Sequence, residues 1–313
     1  MALAFVFPGQ GSQSVGMLGE LAAAHPVVRS TFDEASGVLG FDLWQLAAEG
    51  PAERLALTEI TQPVMLVAGV AAWRVWCARS AVRPDWVAGH SLGEFTALVA
   101  AGVLEFRDAV DLVRFRGEVM RDAVPNGQGG MAAVLGLSDA DMEAACAEAA
   151  QGEVAEAVNF NAPGQVVIAG HASALARAIE AAKARGAKRA LPLPISVPCH
   201  SSLMRPAALR LRERLQRSSF AAPQIRFMSS VDAGEYVSAD SIRDLLYRQL
   251  ASPVRWVATV QALIAAGTDR FVECGPGKVL AGLGRRIDKN PALSHYAIDD
   301  AATLDAAISG VTS

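Results

Sequence analysis

The strongest constraint on this chain is its rhythm. Short β-like runs at residues 4–7, 86–88 and 270–273 alternate with longer helical patterns at 62–79, 92–101, 106–123, 203–216 and 254–266. Parallel strands need crossover helices to join them, so this alternation predicts an α/β core with a mostly parallel sheet. Helix-ending residues agree: Gly102, the Pro125 and Gly127 pair, and Gly267 each follow an apolar helical stretch. With 313 residues and 52% hydrophobic content, the chain can fill a large core and more than one ordinary domain.

Between residues 128 and 196 the rhythm changes. A strand at 131–135 precedes a helix at 139–150, which Ser138 is placed to cap. Strands at 154–159 and 165–169 flank the turn-rich Asn161-Ala162-Pro163-Gly164. A helix at 172–185 ends at Gly186, and a strand at 189–195 follows. The order β-α-β-β-α-β is that of a ferredoxin-like unit. The chain therefore reads as a large hydrolase-like α/β domain, residues 1–127 and 197–313, carrying an inserted small ferredoxin-like βαββαβ domain, residues 128–196. The cleft between two such units is the expected ligand site.

Charge and composition remove several classes. Lys+Arg 28 against Asp+Glu 32 gives a net charge of −4, which disfavours general nucleic-acid binding. The most apolar run, residues 63–73, is shorter than the roughly 20 residues of a bilayer crossing, so no membrane association is expected. The N-terminus lacks the basic flank of a secretory signal, and a cytoplasmic protein is expected. Cys77, Cys146, Cys199 and Cys274 are widely spaced with no CxxC, so neither a disulfide framework nor a metal site is predicted.

Gly89-His90-Ser91-Leu92-Gly93 fits G-x-S-x-G, between a short apolar strand and an alanine-rich helix. In that setting a tight strand-to-helix turn exposes the serine hydroxyl, and the flanking glycines leave room for the close backbone. The helix N-terminus favours negative charge, and the Leu92 N–H is the natural donor to an oxyanion. A serine nucleophile needs a base. Of five histidines, His25 lies on a surface turn, His295 in the polar C-terminal region, and His171 at a helix start where capping suits it. His90 adjoins Ser91, but neighbours on a sharp turn point apart, so it is expected to pack as a wall. His200, in Val197-Pro198-Cys199-His200, is left as the predicted base. No carboxylate partner is evident, so a backbone carbonyl or an amide is expected to orient the ring.

Arg116 lies three residues after Val113 and four before Met120, on or beside the apolar stripe of the 106–123 helix. An inward arginine needs an anion. Arg114 points elsewhere and is expected on the surface.

Several ordered motifs together resemble the malonyl-CoA:acyl carrier protein transacylase family of type II fatty-acid synthesis. They are Phe7-Pro8-Gly9-Gln10-Gly11-Ser12-Gln13, the Ser91 pentapeptide, Arg114-x-Arg116-Gly117, Asn159-Phe160-Asn161-x-Pro163-Gly164-Gln165, Pro198-x-His200 and Gly275-Pro276-Gly277. The resemblance runs from about residue 4 to 283. It implies ping-pong transfer with Ser91 as nucleophile and His200 as base, and no bound cofactor: malonyl-CoA is a substrate, and the carrier supplies phosphopantetheine. It further implies that Gln10 and Leu92 supply oxyanion N–H groups, that Arg116 binds the malonyl carboxylate, and that the Gln249 main-chain carbonyl orients His200. Met120 and Asn161 are candidates for substrate contact.

Acyl carrier proteins are acidic, so docking needs clustered positive charge. Two clusters qualify: Lys183, Arg185, Lys188 and Arg189, and Lys278, Arg285, Arg286 and Lys289. A monomer is expected. The rival readings are a serine esterase or thioesterase, a carrier-binding scaffold without catalysis, and a trans-acting polyketide synthase acyltransferase.

Overall fold

Six strands form the larger sheet of the computed structural model, which describes residues 2–312. The chain enters at β1 (Ala2–Phe7) and continues through α1 (Gly19–Ala24), α2 (Pro26–Leu39), α3 (Leu43–Glu49), α4 (Ala52–Leu55) and α5 (Thr58–Arg79). β2 (Trp86–Gly89), α6 (Gly93–Ala100) and α7 (Phe106–Arg121) complete this first half. A second unit follows, running β3 (Gly129–Leu135), α8 (Asp139–Ala150), β4 (Ala155–Ala162), β5 (Gln165–His171), α9 (Ala172–Ala184) and β6 (Arg189–Pro192), whose four strands form the smaller sheet. The chain then returns to the first sheet with α10 (Arg205–Arg217), β7 (Arg226–Met228), β8 (Glu235–Tyr236), α11 (Ala239–Gln249), α12 (Trp256–Ala265), β9 (Thr268–Cys274), α13 (Val279–Ile287), β10 (Ser294–Ile298) and α14 (Ala301–Thr312).

The larger sheet has the order β10-β9-β1-β2-β7-β8 and is parallel except at the β7–β8 pair. β1 lies in its middle, and its Leu3–Phe7 stretch is buried. Both faces of a parallel sheet are covered by crossover helices, which is why β1 and β2 read as unbroken apolar runs rather than alternating ones. α5 packs against α7 and α2. Phe5 of β1 meets Trp73 and Trp76 of α5 edge-on, at 5.5 and 4.9 Å between ring centroids.

α5 is longer than the apolar run at its centre. It continues through Pro63 and reaches 22 residues, long and apolar enough to cross a membrane. Yet 78% of its most apolar window is buried inside the protein, because a helix apolar all round is the core helix of this sheet.

The smaller sheet has the order β4-β5-β3-β6 with every pair antiparallel, which is the strand order of a βαββαβ unit. Its core is separate and includes Val134, Met142, Ile168 and Ala178. Ser138 caps α8 as expected, accepting from the Asp141 N–H. The smaller sheet meets the connection between α11 and α12, where Phe160 of β4 donates its N–H to the Val254 carbonyl at 2.9 Å and Val254 donates to the Val158 carbonyl at 2.8 Å.

Three local expectations change. Asn161 belongs to β4, and the β4–β5 turn is only Pro163-Gly164, because ladder pairing extends to Ala162↔Gln165. His295 is buried in β10, stacked on Phe271 at 4.9 Å. His171 occupies the N-cap position of α9 but makes no side-chain cap; its Nδ1 accepts from the Val154 N–H instead.

Trp76 is fully buried, and its Nε1–H donates to the Val82 carbonyl at 2.8 Å. Trp76→Ala is expected to cost ~3–5 kcal/mol, read from the shift in denaturant midpoint at constant m-value.

Candidate active site

β1 and β2 end side by side, pairing Phe7 with Gly89, and the His90 N–H donates to the Phe7 carbonyl at 3.0 Å. The chain then turns into α6 within three residues. A Cβ on Gly89 would lie 1.9 Å from the Gly93 carbonyl carbon, and one on Gly93 would lie 2.0 Å from the Phe7 oxygen. Both glycines are therefore fixed by close approach. Ser91 between them is held at φ 52°, a left-handed conformation costly for a residue with a Cβ. Its hydroxyl stands half-exposed at the N-terminus of α6.

His200 crosses from the returning chain to meet it. Ser91 Oγ lies 2.6 Å from His200 Nε2. His200 Nδ1 lies 3.0 Å from the Gln249 carbonyl and 3.1 Å from the Ser252 carbonyl. Carbonyls only accept, so Nδ1 carries the proton and the Nε2 lone pair faces the serine. A second link fixes this segment to the smaller sheet: Glu156 of β4 accepts from the N–H and the hydroxyl of Ser202, both at 2.7 Å. Burial, followed by the nearby Arg116 cation, pushes the His200 imidazole down to about 3. The ring is therefore neutral, as a proton acceptor must be.

His90 does point away from this pair. Its Nε2 lies 2.8 Å from Asn161 Oδ1, and its ring packs beside Trp256 at 5.6 Å. Asn161 thus meets the cleft through His90, from within a strand.

Arg116 projects from α7 into the same space and is 1% exposed. Its Nη1 donates to Gln62 Oε1 at 2.7 Å, and its Nη2 to Gln249 Oε1 at 2.9 Å and Ser91 Oγ at 3.3 Å. The guanidinium lies over the Phe95 ring at 5.5 Å. Among the described residues it forms no ion pair, and its Nε–H has no partner. Burial pushes it down to about 10, which leaves it a cation near neutral pH. Arg114, two residues earlier, is on the surface with Glu118.

Among the described residues, neither the Gln10 N–H nor the Leu92 N–H donates to a protein acceptor. Leu92 follows Ser91 as the N-cap residue of α6, and Gln10 follows Gly9, where a Cβ would lie 2.5 Å from the His90 carbonyl oxygen, so both donors belong to backbone packed at the serine's turn. The Gln10 side chain is held by a 3.1 Å bond from the Thr58 hydroxyl. Met120 is buried beside Arg116, with its sulfur 3.4 Å from Gln62 Nε2.

Four contributors escaped the sequence reading. Gln62, Glu94, Phe95 and Ser252 all touch Ser91, His200 or Arg116 directly or through one side chain. Gln62 and Glu94 did leave a signal, as polar residues inside stretches that are otherwise buried.

The Acyl transferase domain family model matches residues 4–297. The malonyl CoA-acyl carrier protein transacylase of Salmonella typhimurium is 54% identical over 305 residues, 97% of this chain and 98% of that protein. An acyl-carrier-protein S-malonyltransferase from Burkholderia pseudomallei superposes with TM-score 0.96 at 54% identity, covering 99% of this chain and 100% of that one. A malonyl-transacylase in complex with a type II polyketide synthase acyl-carrier protein superposes with TM-score 0.97 at 50% identity, covering 99% and 100%.

Removing the Arg116 charge should relieve the repulsion that disfavours protonated His200, so Arg116→Ala is expected to move that histidine's titration upward. Histidine NMR titration checks it. A wild-type His200 that titrates near 6.5, or one unmoved by the substitution, contradicts the electrostatic coupling.

Proposed function

The chain belongs to the acyl transferase domain family, and we propose that it moves a malonyl group from coenzyme A to the phosphopantetheine thiol of acyl carrier protein, with Ser91 as nucleophile and His200 as base. Ser91 Oγ attacks the malonyl thioester while His200 Nε2 takes its proton. The oxyanion of the tetrahedral intermediate accepts from the N–H groups of Gln10 and Leu92. Collapse releases coenzyme A, whose sulfur takes the proton from His200, and leaves a malonyl-serine ester. The carrier's thiol then gives its proton to His200 and attacks that ester. A second collapse returns the proton to Ser91.

The observation that carries this reading is Arg116: a buried cation with no ion pair among the described residues, 3.3 Å from the nucleophile. A desolvated guanidinium is compensated best by a planar carboxylate, and malonyl is an acyl group that brings one. A neutral-ester hydrolase gives this cation no task. The substrate's carboxylate, set on Arg116, also fixes the acyl carbon relative to Ser91.

Carrier docking on positive charge is supported by the placement of Lys188, Arg189 and Arg286. Arg189, Leu135 and Gln165 form one register row across the smaller sheet, and Arg286 of α13 donates to Gln165 Oε1. Gln165 pairs with Ala162, next to Asn161, which touches His90 beside Ser91. Lys188 and Arg189 are exposed and form no ion pair among the described residues. Lys183 and Arg185 are paired instead with Glu180 and Glu148, and Arg285 donates to the His295 carbonyl, so these three contribute less. A polyketide carrier is the second reading, favoured by the relative solved in complex with one.

Mass spectrometry after a short malonyl-CoA pulse should show a malonyl adduct on Ser91, abolished in Ser91→Ala. Rapid release of malonate without carrier favours hydrolysis instead. Arg116→Ala is expected to lose about 2–5 kcal/mol of transition-state stabilisation for malonyl transfer, read from kcat/KM. Lys188→Glu with Arg189→Glu should raise KM for the carrier and spare that for malonyl-CoA. An unchanged carrier KM with intact salt dependence rejects the docking face.

A further inference from the structure

Glu94 is three residues after Ser91, in the first turn of α6, and is fully buried. Its carboxylate meets only donors. Oε1 accepts from the Ser230 N–H at 2.5 Å and the Ser230 hydroxyl at 3.0 Å, and Oε2 accepts from Gln249 Nε2. Among the described residues each of these partners donates to it, so these bonds all suit the ionised form. Burial pushes the carboxyl up to about 7, and the Ser230 and Gln249 donors hold it from going higher.

Gln249 passes this constraint on. Its Nε2 donates to Glu94 and to the Ser91 carbonyl at 2.9 Å, while its Oε1 accepts from Arg116 Nη2. A carboxamide has one donor end and one acceptor end. A carboxylate can only accept and a guanidinium can only donate, so only one orientation of Gln249 satisfies both neighbours. The same residue's main-chain carbonyl holds His200 Nδ1–H.

We propose that Glu94 is a positioning residue for acyl selectivity: it locks the Gln249 carboxamide with its oxygen toward Arg116, and so holds the guanidinium where the acyl carboxylate must dock. The proposal rests on the malonyl reading above. Gln62 holds Nη1 and Gln249 holds Nη2. With both terminal nitrogens fixed, the remaining N–H groups keep a constant direction toward the ligand.

The isosteric Glu94→Gln breaks this pattern while keeping size. Its oxygen must stay with the two Ser230 donors, so its NH2 faces Gln249. Either two NH2 groups then oppose each other, or Gln249 rotates and turns its NH2 toward Arg116. Both outcomes remove a hydrogen bond from the chain that ends on the cation.

The test compares single-turnover acyl-enzyme formation from malonyl-CoA and from acetyl-CoA, in wild type and in Glu94→Gln, Ser230→Ala and Arg116→Ala. The malonyl-to-acetyl ratio of kcat/KM should fall about tenfold or more in Glu94→Gln, the size expected for a lost bond to a charged group. Ser230→Ala, which removes one donor to Oε1, should lower the ratio by a smaller factor. An unchanged ratio in Glu94→Gln, or an equal fall for both acyl groups, overturns the proposal, since a merely structural role would affect both alike. If Glu94→Gln fails to fold, Ser230→Ala decides, and an unmoved ratio there overturns it. A ratio that holds in Arg116→Ala rejects the underlying malonyl reading instead.

Discussion

A guanidinium buried without a carboxylate beside it is the constraint around which this site is built. Removing a cation from water costs several kcal/mol, and the usual remedy is an adjacent anion. Here the compensation is neutral: two carboxamide oxygens from Gln62 and Gln249, and the face of Phe95. That leaves Arg116 solvated by the protein yet still carrying its charge. A resident Asp or Glu in direct contact would stabilise it more and would neutralise its charge. Glu94 is kept one side chain away, behind Gln249. The same unneutralised charge adds to burial in pushing His200 toward its neutral form, so the cation and the imidazole are electrostatically linked.

The backbone around the nucleophile is equally constrained. Ser91 at φ 52° and His200 at φ 65° both hold left-handed conformations without being glycine. Each is fixed from outside. Ser91 is trapped between Gly89 and Gly93, where the chain passes within contact of β1. His200 is pinned by the Gln249 and Ser252 carbonyls on its ring and by Glu156 on Ser202. Both side chains of the reacting pair are thus aimed by backbone that the surrounding packing over-determines, which is the pattern expected where orientation matters more than local stability.

What the sequence made legible follows from the range of each interaction. The alternation of strands and helices is local, and it led to the parallel sheet and to the βαββαβ unit. Ser91 is legible because its turn is encoded within five residues, and Arg116 because helical spacing places it on the inward face. Elimination among the histidines points to His200, although His295 is buried rather than set in a polar surface region, because stacking on Phe271 joins adjacent strands that the local polar context does not reveal. The residue type of Asn161 favours a turn, yet ladder pairing overrides that preference there. Gln62 and Glu94 take their meaning from partners 54 and 155 positions away, and no local pattern carries that information.

The smaller sheet then has a task beyond closing a cleft. It carries Glu156, which ties the His200 segment, and Asn161, which ties His90. Any displacement of β4 would therefore act on both walls of the nucleophile at once. The hydrogen-bond and ring partners of Arg116 come from α5, α6, α11 and the serine itself rather than from the smaller sheet. The buried cation is thereby held by helices of the larger unit, while the smaller sheet braces His90 and the His200 segment on either side of Ser91.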